Sequence, residues 1–559
     1  MIAHWMVGSL TKVFHDDEPG SGAETSIHLA AARNEKEDAQ ICLRSSAPVR
    51  KVSVECSALS GPGGARIPAD CIQASFVGYV PVHENTRDTE ACQTIRRAPA
   101  FFPDPFIEWP ETSMNADQTQ PIWVTVSVPE DAPAGQYRGA ITVYADDQRI
   151  EVPLQVEVWP FAIPLKPSAW HTEWFFPVYL EQWYNIERFS AEWWEWMERV
   201  ARDMGQHRQN VILTPLRELV RITSADSGWT YDYANLDRWI EIFDRYGVAE
   251  RIEGGHLGGR SGDWESQFQF SGLTVYDTEG VATETGPAPV DDPARQALLA
   301  DFLTNLKKHL IGKGWYSRFI LHQADEPIPA NEESYRTMSA FVRHVLPDVS
   351  RIDAMMSDAL EGCVEIRVPQ LQELKEGLPY PGEELWSYTC LAPRGPYPNR
   401  FLDFASLKTR IIHWLNWRYG ATGYLHWGYA AWGPWKGLRG RVDPWNSVTG
   451  GSEKLPLGRL PLPPGDTHVV YPGQQGICSS MRWEMVRKGM EDLEYLLLVE
   501  EGIRRVGEGS EAGARAVQLL AHIRDGLLKN HSEYTRSEEA LLDARRQMAD
   551  AIVALDVSG

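Results

Sequence analysis

The chain has 559 residues, too many for one hydrophobic core, and its 43% apolar and 23% charged content is that of an ordinary globular protein. A formal charge of −23 argues against a nucleic acid partner, which needs clustered Lys and Arg, and against an anionic membrane surface. The first twenty or so residues lack a basic start followed by an apolar core, and no run of about 18 apolar residues exists, so neither a secretory signal nor a membrane span is expected. The seven cysteines are scattered without CxxC or other zinc-like spacing, which fits reduced thiols and a cytoplasmic location.

Residues 1–163 read as an antiparallel β-sandwich. In Ile122–Val128 the apolar side chains of Ile122, Val124, Val126 and Val128 fall at every second place and therefore on one face. Similar runs follow around Ile141 and Val143, then at Val152, Leu154, Val156 and Val158. Trp159-Pro160-Phe161-Ala162-Ile163-Pro164 ends this pattern, because proline has no place inside a central strand.

From residue 164 to 505 the rhythm becomes strand, helix, strand, helix. Strand ends are expected at His171–Phe176, Asn210–Pro215, Glu253–His256, Asp325–Glu326, Met355–Asp358, Leu385–Cys390, Gly423–Trp427 and Val469–Tyr471. Amphipathic helices are expected between many of them, as at Ala191–Met204 with Trp193, Met197, Val200 and Met204 on one face. Eight such units predict a (β/α)8 TIM-like barrel, an α/β fold. A long polar excursion from Gly258 to about Asp292 is expected to be functional or mobile. Residues 506–559 read as a C-terminal helical appendage. A sandwich on a barrel is also a candidate for homo-oligomer contacts, although no residue pattern marks one.

The stretch Phe319-Ile320-Leu321-His322-Gln323-Ala324-Asp325-Glu326-Pro327 carries the chemistry. An apolar strand stops at two adjacent carboxylates, and barrel enzymes place reacting groups at the C-terminal ends of strands. The plain alternative is an acidic pair that caps the following helix. Neighbours on a strand face opposite sides, so they share a pocket only where the backbone bends. Two carboxylates in one pocket have their pKa values pushed apart, which leaves one as an acid and one as an anion. Glycoside cleavage needs a proton donor and stabilisation of an oxocarbenium-like centre. Direct neighbours suit the variant in which the sugar's own 2-acetamido oxygen attacks the anomeric carbon.

Tryptophan is the compositional anomaly, with 22 residues, of which Trp386, Trp414, Trp417, Trp427, Trp432, Trp435 and Trp445 lie in one late segment. Trp386, Tyr388, Trp427, Tyr429 and Trp432 are candidate walls of a sugar site or, equally, barrel packing. Asp443, Asn446 and Asp466 are candidates to bind hydroxyls or simply solvated loop residues. His171, His256, His322 and His426 lie near expected strand ends; hydrogen bonding to sugar or to the acidic pair is preferred over a metal, because no HExxH spacing supports one. The glycine-rich Gly254–Gly259 run fits neither phosphate-loop pattern. Arg482 is a candidate to pair with an acidic residue inside the barrel.

Three stretches together resemble glycoside hydrolase family 123: His322–Pro327; His426-Trp427-Gly428-Tyr429-Ala430-Ala431-Trp432 with Asp443-Pro444-Trp445; and Gly465–Gly473, continuing through Ser480–Glu484 and Gly489–Tyr495. The resemblance spans about residues 165–500. It implies a retaining exo-β-N-acetylgalactosaminidase that needs no cofactor or metal, with Glu326 as general acid/base, Asp325 orienting the acetamido group, and Tyr471 among the sugar-binding residues. Its partner would be a glycan ending in N-acetylgalactosamine. The family's late motif reads Gly-Asp-Gly where this chain has Gly465-Asp466-Thr467, a departure that bears on leaving-group preference. Two rivals stay open: a glycosidase acting on non-acetamido sugars with a distant carboxylate such as Asp358, and a catalytically silent carbohydrate-binding protein.

Overall fold

The computed structural model describes residues 2–226, 228–377, 380–434, 442–452 and 461–558. The chain forms two compact units that interleave along the sequence: residues 1–168, 393–418 and 430–559 in one, residues 169–392 and 419–429 in the other.

The first unit opens with two sheets that share one core. One sheet runs Ile2–Gly8, Lys36–Ser45, Thr119–Ser127, Ile72–Val82, Ala100–Phe106; the other is built on Ile27–Arg33, Gln148–Ala162, Gly135–Ala145, Val49–Cys56 and Glu111–Met114. Ile122, Val124, Val126, Ile141, Val143, Val152, Leu154, Val156 and Val158 all join this core, as their period of two requires. One pairing departs from the antiparallel expectation: Ile27–Arg33 runs parallel to Gln148–Ala162. The later part of the unit is helical. Met481–Val506 packs with Glu511–His522 and Glu538–Ser558.

Helix Met481–Val506 is charged yet buried over its first four turns, and ion pairs explain how. Arg487 meets Asp38, Glu484 and Glu491; Arg545 meets Glu35, Glu37 and Asp492; Arg410 holds Asp492 bidentately. Arg482 pairs with Asp104 of the first sheet at 2.8 Å, not with an acid of the barrel as expected from sequence.

The second unit is a parallel eight-stranded, nearly closed barrel. Its strands are β1 (Trp170–Glu173), β2 (Val211–Pro215), β3 (Arg251–Gly255), β4 (Phe319–His322), β5 (Ser350–Met355), β6 (Ile366–Pro369), β7 (Glu384–Thr389) and β8 (Gly423–His426). Hydrogen bonds join them in the order β1-β8-β7-β6-β5-β4-β3-β2. The remaining seam, between β1 and β2, is bridged by Asn210. Its side-chain oxygen accepts from the His171 amide at 2.8 Å, and its amide nitrogen donates to the Ala169 carbonyl at 3.0 Å. Val211, Leu213, Ile320, Ile352, Ala354, Ile366, Val368, Trp386, Tyr388 and Leu425 fill the interior.

Two strand expectations change. Val469–Tyr471 is not the eighth barrel strand; Tyr471–Pro472 pairs antiparallel with Ile477–Cys478 in the first unit. The missing strand is β6, a four-residue run with Arg367 in its middle. That arginine is buried because Glu383 and the carbonyls of Ser357 and Leu360 take up its guanidinium. A charge inside a short apolar run hides the strand from pattern reading. Among the described residues no helix is long and apolar enough to cross a membrane.

Candidate active site

β4 and β3 leave the barrel side by side, and glycine permits it. A Cβ on Gly255 would stand 2.6 Å from the His322 Cβ and 2.9 Å from its carbonyl oxygen. The carbonyl of Gln323 then accepts from the amides of Leu257 and Gly258, each at 3.0 Å. A Cβ on Gly254 would likewise stand 2.6 Å from the Phe319 ring, so Gly254 and Gly255 permit close packing of β3 on β4.

Beyond His322 the chain bends sharply. The Ala324 amide donates to Asp353 Oδ2 and the Glu326 amide to the Ala354 carbonyl, both at 3.0 Å, so β5 holds the bend from one side. Glu326 has φ +49°, a left-handed conformation uncommon for a side chain of its size. Asp325 and Glu326 are both half-buried there. The Tyr388 hydroxyl, from β7, donates to Glu326 Oε1 at 2.5 Å. One oxygen of Asp325 lies within 4.8 Å of the His322 imidazole and the Asp353 carboxylate.

His322 is the electrostatic hub. Nδ1 faces Glu253 Oε1 at 2.8 Å and Nε2 faces Asp353 Oδ1 at 3.0 Å, with all three residues fully buried. Burial alone would lower its pKa, but the two carboxylates outweigh this and raise it to about 10. Each carboxylate is otherwise occupied: Glu253 accepts from the Trp174 indole and the Thr172 hydroxyl at 3.0 Å each, and Asp353 from the Tyr335 hydroxyl at 2.8 Å. Neighbouring His256, whose ring centroid lies 4.3 Å from that of His322, is held well below the ordinary histidine range by burial and then by the His322 charge. Burial, then Glu326 and Asp353, push the Asp325 carboxyl up to about 8. The Asp325 carboxyl therefore keeps its proton to higher pH than an ordinary carboxyl does.

His322, Asp325 and Asp353 are grouped closely enough to suggest a cation. Both ring nitrogens of His322 already face carboxylates, Glu253 on one side and Asp353 on the other, which ties the group into a buried hydrogen-bonded network.

The residues proposed from sequence separate into groups. Asp325, Glu326, His322, His256 and Tyr388 lie together at the C-terminal end of the barrel. Trp427, half-buried just after β8, packs on the rim of the interior cluster with Phe176 and Cys390. Trp386 is instead completely buried at the opposite end: its indole donates to Glu384 at the start of β7, and the guanidinium of Arg251 at the start of β3 lies 5.7 Å from its ring. It forms the barrel floor, not a sugar platform. His171 and His426 occupy the outward-facing positions of β1 and β8 and flank buried Glu173, at 3.4 and 3.9 Å. Tyr429 is buried, its hydroxyl bonded to Asp203 at 2.6 Å.

Trp432, Asp443 and Tyr471 belong to the first unit. There Trp432 donates to the Val470 carbonyl, Asp443 accepts from the Trp445 amide and the Asn446 side chain, and Tyr471 donates to Asp104. Trp435 lies outside the described residues. Sequence reading missed Glu253, Asp353, Tyr335, Trp174 and Arg260. The available signal was a lone acid inside an apolar strand, at Glu253 and again at Asp353.

Residues 174–499 match the family described as glycoside hydrolase 123, catalytic domain, and residues 8–145 match the glycoside hydrolase 123 N-terminal domain. Among curated proteins none matches. A solved structure of a family 123 glycoside hydrolase from Clostridium perfringens, described for its glycolipid glycan hydrolysis, aligns with TM-score 0.74 at 15% identity over 100% of this chain and 98% of that one. That likeness establishes a common fold. An exo-β-N-acetylglucosaminidase of family 20 from Vibrio harveyi aligns only with TM-score 0.22 at 8% identity, over 66% of this chain and 81% of that one, too weakly to carry an argument.

Proposed function

This chain belongs to glycoside hydrolase family 123, and we propose that it is a retaining exo-glycosidase that releases terminal β-linked N-acetylgalactosamine with the substrate's 2-acetamido group as nucleophile. The observation that carries the reading is one acidic pair on a single chain bend, beside two further carboxylates whose oxygens are already taken up in hydrogen bonds. Glu253 and Asp353 each accept three hydrogen bonds, so neither is free to attack an anomeric carbon. Asp358, the distant candidate, has a 72% exposed side chain paired with Lys375. A nucleophile supplied by the substrate fills that gap.

In this mechanism the acetamido N–H donates to Asp325 and favours its anion. Glu326 carries the proton and gives it to the leaving oxygen as the acetamido oxygen closes on the anomeric carbon. The resulting oxazolinium ion is flanked by the Asp325 anion. Glu326, now ionised, removes a proton from water as that water opens the ring, which gives net retention. Tyr388 steadies the ionised form of Glu326. Trp427, half-buried on the rim, is the candidate stacking surface for the sugar. The Clostridium relative's described activity makes glycolipid-derived oligosaccharides the natural glycans to test.

Hydrolysis of three aryl β-glycosides tests the proposal: N-acetylgalactosaminide, N-acetylglucosaminide and galactoside. Cleavage of the first alone is expected. Cleavage of the galactoside would show that the acetamido group is dispensable and end the substrate-assisted reading; preference for the N-acetylglucosaminide would overturn the galacto assignment.

A further inference from the structure

Arg260 stands at the end of the short strand Gly258–Arg260, inside the long excursion between β3 and β4. Its guanidinium reaches the backbone of both acidic residues. Nη1 donates to the Asp325 carbonyl at 3.0 Å and Nη2 to the Glu326 carbonyl. Nε donates to the Trp264 carbonyl at 2.9 Å, while the Trp264 ring stacks on the guanidinium with its centroid at 3.8 Å and Phe268 follows at 5.1 Å. The side chain is thus fixed in position and in plane.

What it grips is the unusual part of the backbone. Glu326 adopts φ +49°, which glycine or asparagine takes more readily than glutamate. Without that turn, adjacent residues would point to opposite sides of a strand and could not share a pocket. β5 anchors the amide side of the bend through Asp353 and the Ala354 carbonyl. Arg260 anchors the carbonyl side, where a planar fork of donors fits two neighbouring oxygens in a way a lysine ammonium does not.

We propose that Arg260 is a positioning residue for the acidic pair: its grip on the Asp325 and Glu326 carbonyls holds the left-handed turn and so fixes the direction in which the proton donor is presented. The inference rests on Glu326 being the acid. It makes the excursion a working part of the active site rather than a surface insertion.

The test compares Arg260→Ala, Arg260→Lys and Glu326→Gln in the full chain on two N-acetyl-β-galactosaminides, one with a dinitrophenyl leaving group that needs no proton and one with an alkyl leaving group that does. Partial misfolding lowers both rates by the same factor, whereas a displaced donor lowers them unequally. For both Arg260 variants kcat on the alkyl substrate is expected to fall on the order of 10²-fold, as for an ångström-scale misplacement, and on the dinitrophenyl substrate by roughly tenfold or less, with KM little changed. Equal losses on the two substrates, or a wild-type rate on the alkyl one, would overturn the proposal. Full alkyl turnover by Glu326→Gln would instead remove the acid assignment on which it rests, and so separates the two failures.

Discussion

Replacing Tyr388 with phenylalanine removes one oxygen from the site and little else. The ring is 2% exposed among the barrel's interior residues and stays packed in the variant. The lost contact is the 2.5 Å hydrogen bond to Glu326 Oε1. A hydrogen bond to a charged group contributes about 1.5–3 kcal/mol. Glu326 is half-buried, so water replaces part of the loss and the lower end applies. At about 1.4 kcal/mol per pKa unit, the Glu326 proton should be held more tightly by about one unit. The direction follows from the charge state: the phenol stabilises the anion, and its removal makes deprotonation harder. The alkaline limb of kcat/KM reports loss of the proton that the pair donates. The Tyr388→Phe limb should stand about one pH unit above that of the wild type. The assay is kcat/KM for an aryl N-acetyl-β-galactosaminide followed from acid to alkaline pH. An alkaline limb that stays in place or moves down would refute the reasoning, because the phenol would then have no hold on the working carboxylate.

Three further outcomes are expected. Gly423→Ala would place a Cβ 2.4 Å from the ring of Trp386, which Glu384 holds in place; overpacking of this kind should cost about 1–3 kcal/mol, and an unchanged urea midpoint would contradict the packing described. Asp492→Asn should destabilise by about 3–5 kcal/mol in denaturant titration, since Arg410 would lose its buried counter-charge and Arg545 one of three, and a change within error would show the network to be dispensable. The His322 imidazolium, whose pKa rises from 6.5 to about 10 because its two carboxylates outweigh burial, stabilises the fold fully below pH 6.5, and that contribution is lost as pH rises through about 10. The melting-temperature margin of wild type over His322→Gln should therefore shrink between pH 6.5 and 10; a constant margin would rule out the charged pairing.

Local pattern determined much of this protein. The period of two in Ile122–Val128 assigned a face, and the same side chains line the sandwich core. Seven apolar runs became barrel strands, and the adjacent Asp325-Glu326 stands at the exit of β4, as its place after an apolar run requires. These are properties of neighbours a few residues apart, and backbone periodicity makes them legible. What the tertiary structure decided depends on residues far apart in the chain. Val469–Tyr471 and Ile366–Pro369 exchange roles because strand membership is set by which backbone donors and acceptors meet, not by apolar content. Trp386 and Tyr388, two places apart on one strand, go to the floor and to Glu326 respectively because barrel depth separates them. The ion network joins His322 to Glu253 across 69 positions and to Asp353 across 31, and Arg260 meets Glu326 across 66. No local rule links such residues; they meet only when the strands close side by side, and that closure sets the buried charges of His322 and Asp353 beside two neighbouring carboxylates.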